Sequence, residues 1–309
     1  MTTTKKEINK GYELLVEPSR EFPKDYLISN FPLDSSTELM DFFLLKKNRK
    51  KAFITFAISS QKQAVSLPNA PFGGFFILEK IHSESIEWFI SRILSYLNER
   101  GISSVEIINA PKPYEENHDL INYLLFKNGF RQENILSHQF FLGKKKIKKW
   151  FSQEQARFER KINESGLSVS CASINNFSFL KSIKEWNRDR GFVVKVEENR
   201  IIQQVAEFPE RYFLISLSHQ NQIIAHCLAV KLFPDTIYYF LSAIDPKTAV
   251  KNVGEILLYQ LFKLAAEQKV KLIDLGSSDL GEKANHPLLF FKSRFSNDYS
   301  NKITWTKMI

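Results

Sequence analysis

Apolar residues in the second half of the chain recur first at strand spacing and then at helix spacing. Alternating apolar and polar positions predict three strands, which the turn residues Asn221 and Pro234-Asp235 join as an antiparallel meander. The pattern then predicts a long apolar helix, a buried strand, a short amphipathic helix and a last strand. In chain order these seven elements are Tyr212–Leu217, Ile223–Leu232, Thr236–Ile244, Gly254–Gln268, Val270–Leu275, Pro287–Arg294 and Ile303–Met308.

The remainder of the chain shows the same mixture of elements. Apolar residues at helical spacing predict the helices, and a glycine marks the end of three of them, at Gly101, Gly129 and Gly166. Strands are predicted at Ala52–Ser59, Ser104–Asn109, Ile135–Leu142 and Leu167–Ala172. Helices are predicted at Ser83–Arg100, Asn117–Lys127, Phe151–Ser165, Phe177–Arg188 and Glu197–Glu207.

Both halves of the chain end in the order helix, strand, short helix, strand, which suggests an internal duplication. A chain of 309 residues is long for a single core, so two domains of about 150 residues are expected. The lysine run Lys144–Lys149 and Trp150 mark the join. We therefore predict an α+β fold with two domains, residues 1–148 and 149–309. Each is expected to contain a mostly antiparallel mixed sheet flanked by helices.

The composition is that of a globular protein, 43% apolar and with 27 phenylalanines that predict large aromatic cores. No apolar run approaches the roughly 20 residues that a membrane span needs. The polar segment Met1–Lys6 lacks the apolar block of a secretory signal. The two cysteines, Cys171 and Cys227, are expected to be buried thiols and not a disulfide. These features favour a cytoplasmic location.

The formal charge of +9 is concentrated in two lysine-rich clusters, Lys46–Lys51 and Lys144–Lys149. Neither cluster is interleaved with aromatic residues that stack on bases, and no nucleic-acid motif is present. We therefore expect a solvated loop or an exposed helix start in each cluster, with attraction of a phosphate-bearing ligand as the alternative. A DNA partner is not expected. The sequence also lacks the spacing of zinc ligands, so no metal site is predicted.

The turn Val250-Lys-Asn-Val-Gly254 stands where a strand hands over to the long apolar helix. Free backbone N–H groups at such a helix start converge on one point, with the positive end of the helix dipole behind them. This geometry suits a pyrophosphate or another anion. Glu255 places a carboxylate in the first turn, where it favours the helix but repels phosphate.

Several segments, in order, resemble a known family. They carry an arginine-bearing helix entry, a strand after a polar turn, a tyrosine strand with an acidic turn, the glycine turn and two closing motifs. These are Gln155-Ala-Arg-Phe-Glu-Arg-Lys-Ile162, Ile224-Ala-His-Cys-Leu-Ala229, Tyr238-Tyr-Phe-Leu-Ser-Ala-Ile-Asp-Pro246, Asn252-Val-Gly-Glu-Ile-Leu-Leu258, Leu272-Ile-Asp-Leu-Gly276 and Phe291-Lys-Ser-Arg-Phe295. Together they resemble the GCN5-related N-acetyltransferase (GNAT) superfamily, in the branch of the FemABX aminoacyltransferases and cellulose-biosynthesis-type acyltransferases. In the first half the resemblance rests on element order and on Ala70-Pro-Phe-Gly-Gly74.

The resemblance implies two tandem GNAT-like domains and an N-acyltransferase. Such an enzyme moves an acyl group from an activated donor to an amine or amino-sugar acceptor. The donor loop would comprise Lys251, Asn252, Val253, Gly254 and Glu255, with acyl-CoA as co-substrate and no tightly bound cofactor. The loop carries a single glycine where better-known members have a pair.

The resemblance also assigns roles to individual side chains. Phe291-Lys292 matches a pair that lies near the reacting ester in FemABX-type enzymes, which gives Lys292 an oxyanion-stabilising role. Asp274, at a strand end, is assigned to positioning. Arg157 and Arg160 share a helix face and suit phosphate oxygens. Tyr239 of the tyrosine strand and Phe291 complete the predicted substrate-binding set.

Alternatives remain at this point. Lys292 is a solvent-facing lysine in the simpler interpretation, and His226 a core histidine. No general base can be chosen among the acidic residues Asp245, Asp274, Asp279 and Glu282 and the histidines His226 and His286, and substrate-assisted proton transfer would need no base at all. The donor is either an acyl-CoA or, as in FemABX enzymes, an aminoacyl-tRNA used on a cell-wall precursor. The absence of a long heptad-patterned helical arm disfavours tRNA. A third interpretation is a non-catalytic protein that only binds a ligand.

Overall fold

A computed structural model describes residues 3–9, 11–19, 37–68, 70–192, 194 and 196–309. They form two compact units. Unit 1 contains the described residues before His138 together with Ser300–Ile309, and unit 2 contains His138–Tyr299. The assignment of residues 1–148 and 149–309 to two GNAT-like domains stays a prediction. None of the helices among the described residues combines the length and apolarity needed to cross a membrane.

Unit 1 is built on a mixed sheet and two helices. The sheet order is β1-β2-β3-β4-β5-β7-β16, and β6 pairs with β4. Strand β5 runs parallel to β7, and the other pairs are antiparallel. The elements are β1 Thr3–Asn9, β2 Tyr12–Pro18, β3 Glu38–Lys46, β4 Arg49–Ile58, β5 Gln63–Ser66, β6 Phe76–Ile77, α1 Ser83–Glu99, β7 Ser104–Ile108, α2 His118–Lys127, β8 Arg131–Leu142 and, at the end of the chain, β16 Asp298–Met308.

The apolar spacing of the sequence explains how unit 1 forms its core. Helix α1 buries one stripe at intervals of three and four residues, which includes Ile86, Phe89 and Ile93. It ends before Gly101, whose φ of +71° suits a residue without a Cβ. In β2 the buried positions alternate, and they pack with α1 in one apolar cluster. The core of unit 1 therefore lies between α1, α2 and one face of the sheet.

Unit 2 is built on a second mixed sheet segment with helices on it. Its strand order is β8-β13-β12-β11-β10-β9, with residues 138–142 of β8 in this unit. The ladders are antiparallel except for the parallel pair β12–β13. The elements are α3 Lys144–Glu164, β9 Leu167–Ala172, α4 Ser178–Arg188, α5 Glu198–Glu207, β10 Tyr212–His219, β11 Gln222–Val230, β12 Thr236–Ile244, α6 Val253–Glu267, β13 Leu272–Ser277, the short pair β14 Asp279–Leu280 and β15 Lys283–Ala284, and α7 His286–Ser293.

Helix α6 is the central element of the unit 2 core. Two-thirds of its residues are buried, and they share one apolar cluster with residues of α3, including Ile147 and Phe158. Aromatic rings reinforce the contact: Phe158 stacks on Tyr259 with ring centroids 4.7 Å apart, and Trp150 lies 4.0 Å from Phe262. These contacts fix the middle of α6 against α3.

Most of the predicted elements are confirmed, including the meander β10–β12 and the mixed α+β class. The differences lie where charge hides an apolar pattern. Helix α3 begins at Lys144 and not at Phe151, because Ile147 is buried within the lysine run. The cluster Lys46–Lys51 is the β3–β4 hairpin, with Lys47 and Asn48 at positive φ. Strands β1, β2 and β3 were not predicted. Of the two cysteines, Cys227 is buried as expected, but Cys171 is exposed.

Candidate active site in the second unit

The two parallel strands of unit 2 part soon after they pair. The β12–β13 ladder joins Thr236 to Leu272, Ile237 to Ile273 and Tyr238 to Asp274. It ends there, although β12 continues to Ile244. A register shift between Leu228 and Ala229 of the β11–β12 ladder marks a bulge in this part of the sheet, and a bulge bends its strand. Main-chain groups of β12 beyond Tyr238 are thus left without β13 as a partner.

Helix α6 begins at Val253, after β12 has ended at Ile244 and a loop of residues 245–252 has followed. Its N-cap residue, Asn252, has φ +61° and ψ +15°, a left-handed conformation, and its side chain does not cap the helix. Lys251 and Asn252 are exposed, whereas Val253 is buried. The first N–H groups of the helix therefore keep their capacity to bind an anion.

The carboxylate of Glu255 is held by two cations of the protein. Its Oε2 accepts a hydrogen bond of 2.7 Å from Lys161 Nζ, and its Oε1 accepts one of 2.8 Å from Arg294. Burial raises the pKa of Glu255, but these two hydrogen bonds outweigh burial and lower the pKa overall. The expected repulsion of phosphate by Glu255 is therefore offset, since two positive charges accompany one negative charge. Both carboxylate oxygens are already hydrogen-bonded within the protein. The group of Glu255 that remains for binding an anionic ligand is its backbone N–H.

Gly254 and Phe291 are in contact. A Cβ built on Gly254 would stand 3.3 Å from the ring atom Cζ of Phe291. The Phe291 ring also lies 5.6 Å from that of Phe295 and packs against the apolar cluster of unit 2. The absence of a side chain at Gly254 lets α7 approach the start of α6, and this approach positions the next residue, Lys292.

Lys292 is buried, so the solvent-facing interpretation of this lysine is wrong. Only 5% of the residue is exposed, and Nζ donates a hydrogen bond of 2.6 Å to the carbonyl oxygen of Ser277. Burial lowers the pKa of Lys292 to about 8, while the charges of Asp274 and Asp279 act in the opposite direction. The side chain is a poorly solvated ammonium near neutral pH, and a positive charge of this kind stabilises developing negative charge well.

Asp274 is the residue of β13 at which the β12–β13 ladder ends, and only 1% of the residue is exposed. Its Oδ1 accepts a hydrogen bond of 2.7 Å from the N–H of Gly276. The same carboxylate accepts from Nδ1 of His138, at 3.2 Å to Oδ1 and 3.4 Å to Oδ2. His138 lies in β8 and is itself buried. The sequence analysis missed His138, although the polar run Ser137-His138-Gln139 inside an apolar strand was a usable signal.

The predicted substrate-binding residues do not all lie in one place: one lines a cavity, one is exposed and one packs against the core of unit 2. Arg157 lines a cavity of about 160 Å³ and pairs with Glu154 at 2.7 Å. Arg160 does not line this cavity; it is exposed and lies 3.8 Å from Glu164. Tyr239 packs against the apolar cluster of unit 2, and burial raises its pKa. The cavity is lined by Trp150, Glu154, Arg157, Phe158, Glu255, Arg294 and Phe295.

His226 is a core residue. It is 4% exposed, its Nδ1 lies 2.8 Å from the hydroxyl of Ser216, and its ring stacks on Trp186. Burial lowers its pKa to about 4. Its surroundings are apolar and aromatic, with no carboxylate among the causes of that shift. His226 therefore takes no part in the site described above.

Comparison with known proteins agrees with this geometry. Residues 147–284 match the family described as an acetyltransferase (GNAT) domain. The crystal structure of FemX superposes with a TM-score of 0.63 over 89% of both chains at 10% identity. A tandem GNAT protein from the clavulanic acid biosynthesis pathway, solved without AcCoA, gives 0.53 over 89% of this chain and 84% of its own, at 10% identity. L-PGS from Bacillus licheniformis gives 0.50 over 83% and 81%, at 17% identity.

No curated protein matches the sequence. At identities this low the solved structures establish the fold alone. The family match covers α3 to β15, and so includes the parted strands, the start of α6 and Asp274. Residues 147–284 therefore match a GNAT acetyltransferase domain, and the chain has a fold similar to that of FemX.

Proposed function

We propose that unit 2 transfers an acyl group from an acyl-CoA-type thioester to an amine. One observation carries the proposal: β12 and β13 part after Tyr238 and Asp274, and β12 then leads through residues 245–252 to the uncapped start of α6. Parted strands offer main-chain donors and acceptors to an extended amide-bearing arm, as a sheet edge does to a peptide. The helix start offers N–H groups to a phosphate. A donor with both parts fits this pair of features.

The residues of the predicted donor loop fit such a ligand. The left-handed Asn252 has no side-chain cap, so the helix start is left uncapped, and the missing Cβ at Gly254 lets Phe291 pack beside it. The N–H groups of Val253, Gly254 and Glu255 would hold the pyrophosphate, with the exposed ammonium of Lys251 adding charge.

Two side chains would act on the reacting centre. When the acceptor amine attacks the thioester carbonyl, negative charge develops on the carbonyl oxygen, and the buried ammonium of Lys292 would stabilise it. Asp274 would position groups at the same point, because its carboxylate is fixed by Gly276 and by His138. The acceptor, an amine or amino sugar, would meet Tyr239, Phe291 and Arg157. Arg160 is retained only as an outer contact, since it is exposed and lies outside the cavity.

Binding of coenzyme A tests the donor half of the proposal. We expect coenzyme A and acetyl-CoA to raise the melting temperature, and pantetheine, which lacks the pyrophosphate, to bind at least tenfold more weakly in calorimetry. Lys251→Glu should weaken coenzyme A binding several-fold. Lys247→Glu, the same charge change in the same exposed loop, is the matched control and should have little effect. Equal loss in both variants, or equal affinity for pantetheine, contradicts a pyrophosphate site at α6.

A second candidate is transfer from an aminoacyl-tRNA, as the FemABX resemblance implies. The observation in its favour is the single glycine of the donor loop, with Glu255 in the first helical turn. Transfer of a labelled aminoacyl group from charged tRNA to a UDP-linked amino sugar, without any response to coenzyme A, would establish it. Absence of binding to coenzyme A, nucleotide sugars and charged tRNA alike would favour the non-catalytic interpretation.

A further inference from the structure

We infer that His138 is the general base that takes the proton from the acceptor amine, with Asp274 as the residue that orients it. This inference rests on the proposed acyl transfer. It adds a residue that neither the sequence pattern nor the family resemblance assigns, because His138 lies before the matched residues 147–284.

The hydrogen bond between the two residues fixes the tautomer of the imidazole. An ionised carboxylate only accepts, so Nδ1 of His138 carries the hydrogen that it donates to Asp274 over 3.2 Å. The lone pair is then on Nε2. Among residues 37–68, 70–192 and 196–309, nothing is hydrogen-bonded to Nε2. A histidine oriented by a carboxylate, with its second nitrogen free to accept, is the arrangement that general-base catalysis requires.

The backbone around Asp274 is built to hold this carboxylate still. Between the pairs Asp274–Phe140 and Ser277–His138 the ladder of β8 and β13 shifts register. The shift includes Gly276, which has φ +71° and donates its N–H to Asp274. A bulge of this kind re-aims side chains at functional sites. The carboxylate thus receives donors from its own strand and from β8, at the residue where β12 departs.

The charges around the imidazole divide the chemistry between two residues. Asp274 faces His138 from β13, and Lys292 of α7 donates to the carbonyl of Ser277, the residue paired with His138. Phe140, on the same strand, stacks on the ring with centroids 6.0 Å apart. Lys292 supplies the positive charge for the oxyanion, so the imidazole is left to act as the base. When the imidazole gains a proton, the carboxylate of Asp274 stabilises the imidazolium.

A neighbouring buried hydroxyl independently indicates a polar ligand near these residues. Ser278 is 2% exposed, and its Oγ has no hydrogen-bond partner among the described residues. Such groups are rarely left unsatisfied in a native core. Ser278 follows directly on Ser277, whose carbonyl oxygen binds Lys292.

The proposed step balances. The nitrogen lone pair of the amine forms the N–C bond, and the carbonyl π electrons move to the oxygen facing the ammonium of Lys292. The amine proton passes to Nε2 of His138. Collapse of the tetrahedral adduct breaks the C–S bond, and the departing sulfur receives the proton from the imidazolium. The product is an amide and a free thiol, and His138 returns to its neutral form.

The test compares two acceptor amines in one variant. Both amines lose a proton when the amide forms, but glucosamine is mostly protonated at neutral pH and must lose that proton as well. Hydroxylamine is already unprotonated there, so its acylation depends less on a base. With acetyl-CoA as donor, we expect His138→Gln to lower turnover of glucosamine about 10²- to 10³-fold, the range for loss of a general base. Turnover of hydroxylamine should fall less than tenfold. The ratio of the two rates is the readout, since a loss of folded protein lowers both rates equally.

His226→Gln is the matched control, because it changes a buried histidine of the same unit that lies outside the site; its rate ratio should equal that of the wild type. His138→Ala gives a second readout, in which added imidazole should restore at least tenfold of the lost turnover with glucosamine. An unchanged rate ratio in His138→Gln together with no rescue of His138→Ala overturns the inference. A wild-type protein that acylates neither amine contradicts the proposed function itself, so the two failures are distinguishable.

Discussion

Units 1 and 2 each contain a parallel strand pair that spans three residue pairs, and the two pairs end differently. In unit 1 the pair β5–β7 runs from Gln63–Ser104 to Val65–Glu106. Beyond it, the N–H of Gly73 donates to the carbonyl oxygen of Ile108 over 2.8 Å, so the protein's own loop occupies the edge of β7. In unit 2 the pair β12–β13 ends at Tyr238–Asp274 with no such loop bonded there among the described residues.

The loop of unit 1 packs too closely for any ligand to share its place. A Cβ on Gly73 would stand 2.5 Å from Cβ of Leu67, and one on Gly74 would overlap the side chain of Asn109. The Asn109 amide is held in turn by Asn122 at 2.8 Å. The same arrangement, a short parallel strand pair that ends early, is therefore closed in unit 1 and open in unit 2. The difference is the glycine loop that bonds to the free strand edge in unit 1. This contrast supports the proposal that acyl transfer takes place in unit 2.

The largest expected effect separates two lysines that each donate to a carbonyl oxygen. Lys292 bonds to Ser277 in unit 2, and Lys302 bonds to Pro71 in unit 1 at 3.1 Å. We expect Lys292→Met to lower turnover about 10²- to 10³-fold, because the oxyanion loses its positive charge. Lys302→Met should leave turnover within about twofold. Steady-state kinetics of both variants decide the matter, and equal losses would refute the assignment of chemistry to unit 2.

The next effect concerns stability and separates two glycines. Gly74→Ala should lower the free energy of unfolding by about 1–3 kcal/mol, since its Cβ has no room beside Asn109. Gly254→Ala should cost less than about 1 kcal/mol, because the Phe291 ring lies 3.3 Å away and is able to yield. Urea denaturation of the two variants measures the difference. A reversed order would show that the loop of unit 1 is not the tightly packed one.

A third effect is on pH dependence. Because burial lowers the pKa of Lys292 to about 8, the ammonium is lost as pH rises through that value, and turnover should fall there about tenfold per pH unit at the steepest. Lys292→Arg keeps its charge at high pH, so its residual activity should not show this decline. A wild-type rate that instead rises through pH 8 would mean that the neutral amine is the active form.

Stability should change in the opposite direction over the same range. The lysine regains its usual pKa of about 10.4 when the chain unfolds, so between pH 8 and that value the unfolded state binds more protons than the folded state. The contribution of Lys292 to the free energy of unfolding therefore rises with pH in this window and is least favourable below it. Melting curves of the wild type and Lys292→Met isolate this contribution, which the variant should lack.

The smallest expected effect separates two arginines of α3. Arg157 lines the cavity beside Glu255, whereas Arg160 is exposed and lies 3.8 Å from Glu164. Arg157→Ala should raise an apparent KM about threefold to tenfold, and Arg160→Ala should change it less than twofold, as is usual for exposed ion pairs. Michaelis–Menten measurements for donor and acceptor show which substrate responds. Matching effects would contradict a role of this cavity in substrate binding.

The sequence predicted elements well where apolar spacing was strong. Helices α1 and α6 and the meander β10–β12 follow directly from the spacing of their buried residues, and Lys292 emerged from the Phe291-Lys292 motif. The first three strands were missed, although Tyr12, Leu14 and Val16 alternate in β2 and the apolar run Phe42-Phe43-Leu44-Leu45 lies in β3.

The candidate site was harder to predict because its parts are remote in sequence. His138 and Asp274 are separated by 136 residues, and only the β8–β13 ladder brings them together. Periodicity reports burial on one element at a time, and it carries no information on which polar residues of two strands face each other. The cation pair around Glu255 was missed for the same reason, since Lys161 comes from α3 and Arg294 follows α7.

Residues Ser300–Ile309 belong to unit 1, where Trp305 is 2% exposed and its Nε1 donates to Asn122 over 2.8 Å. Strand β16 also pairs with β7 from Thr304 to Met308. On the ribosome, unit 1 is therefore translated almost whole long before its closing strand emerges. The core of unit 1 therefore lacks the side chain of Trp305 until all of unit 2 has been synthesised.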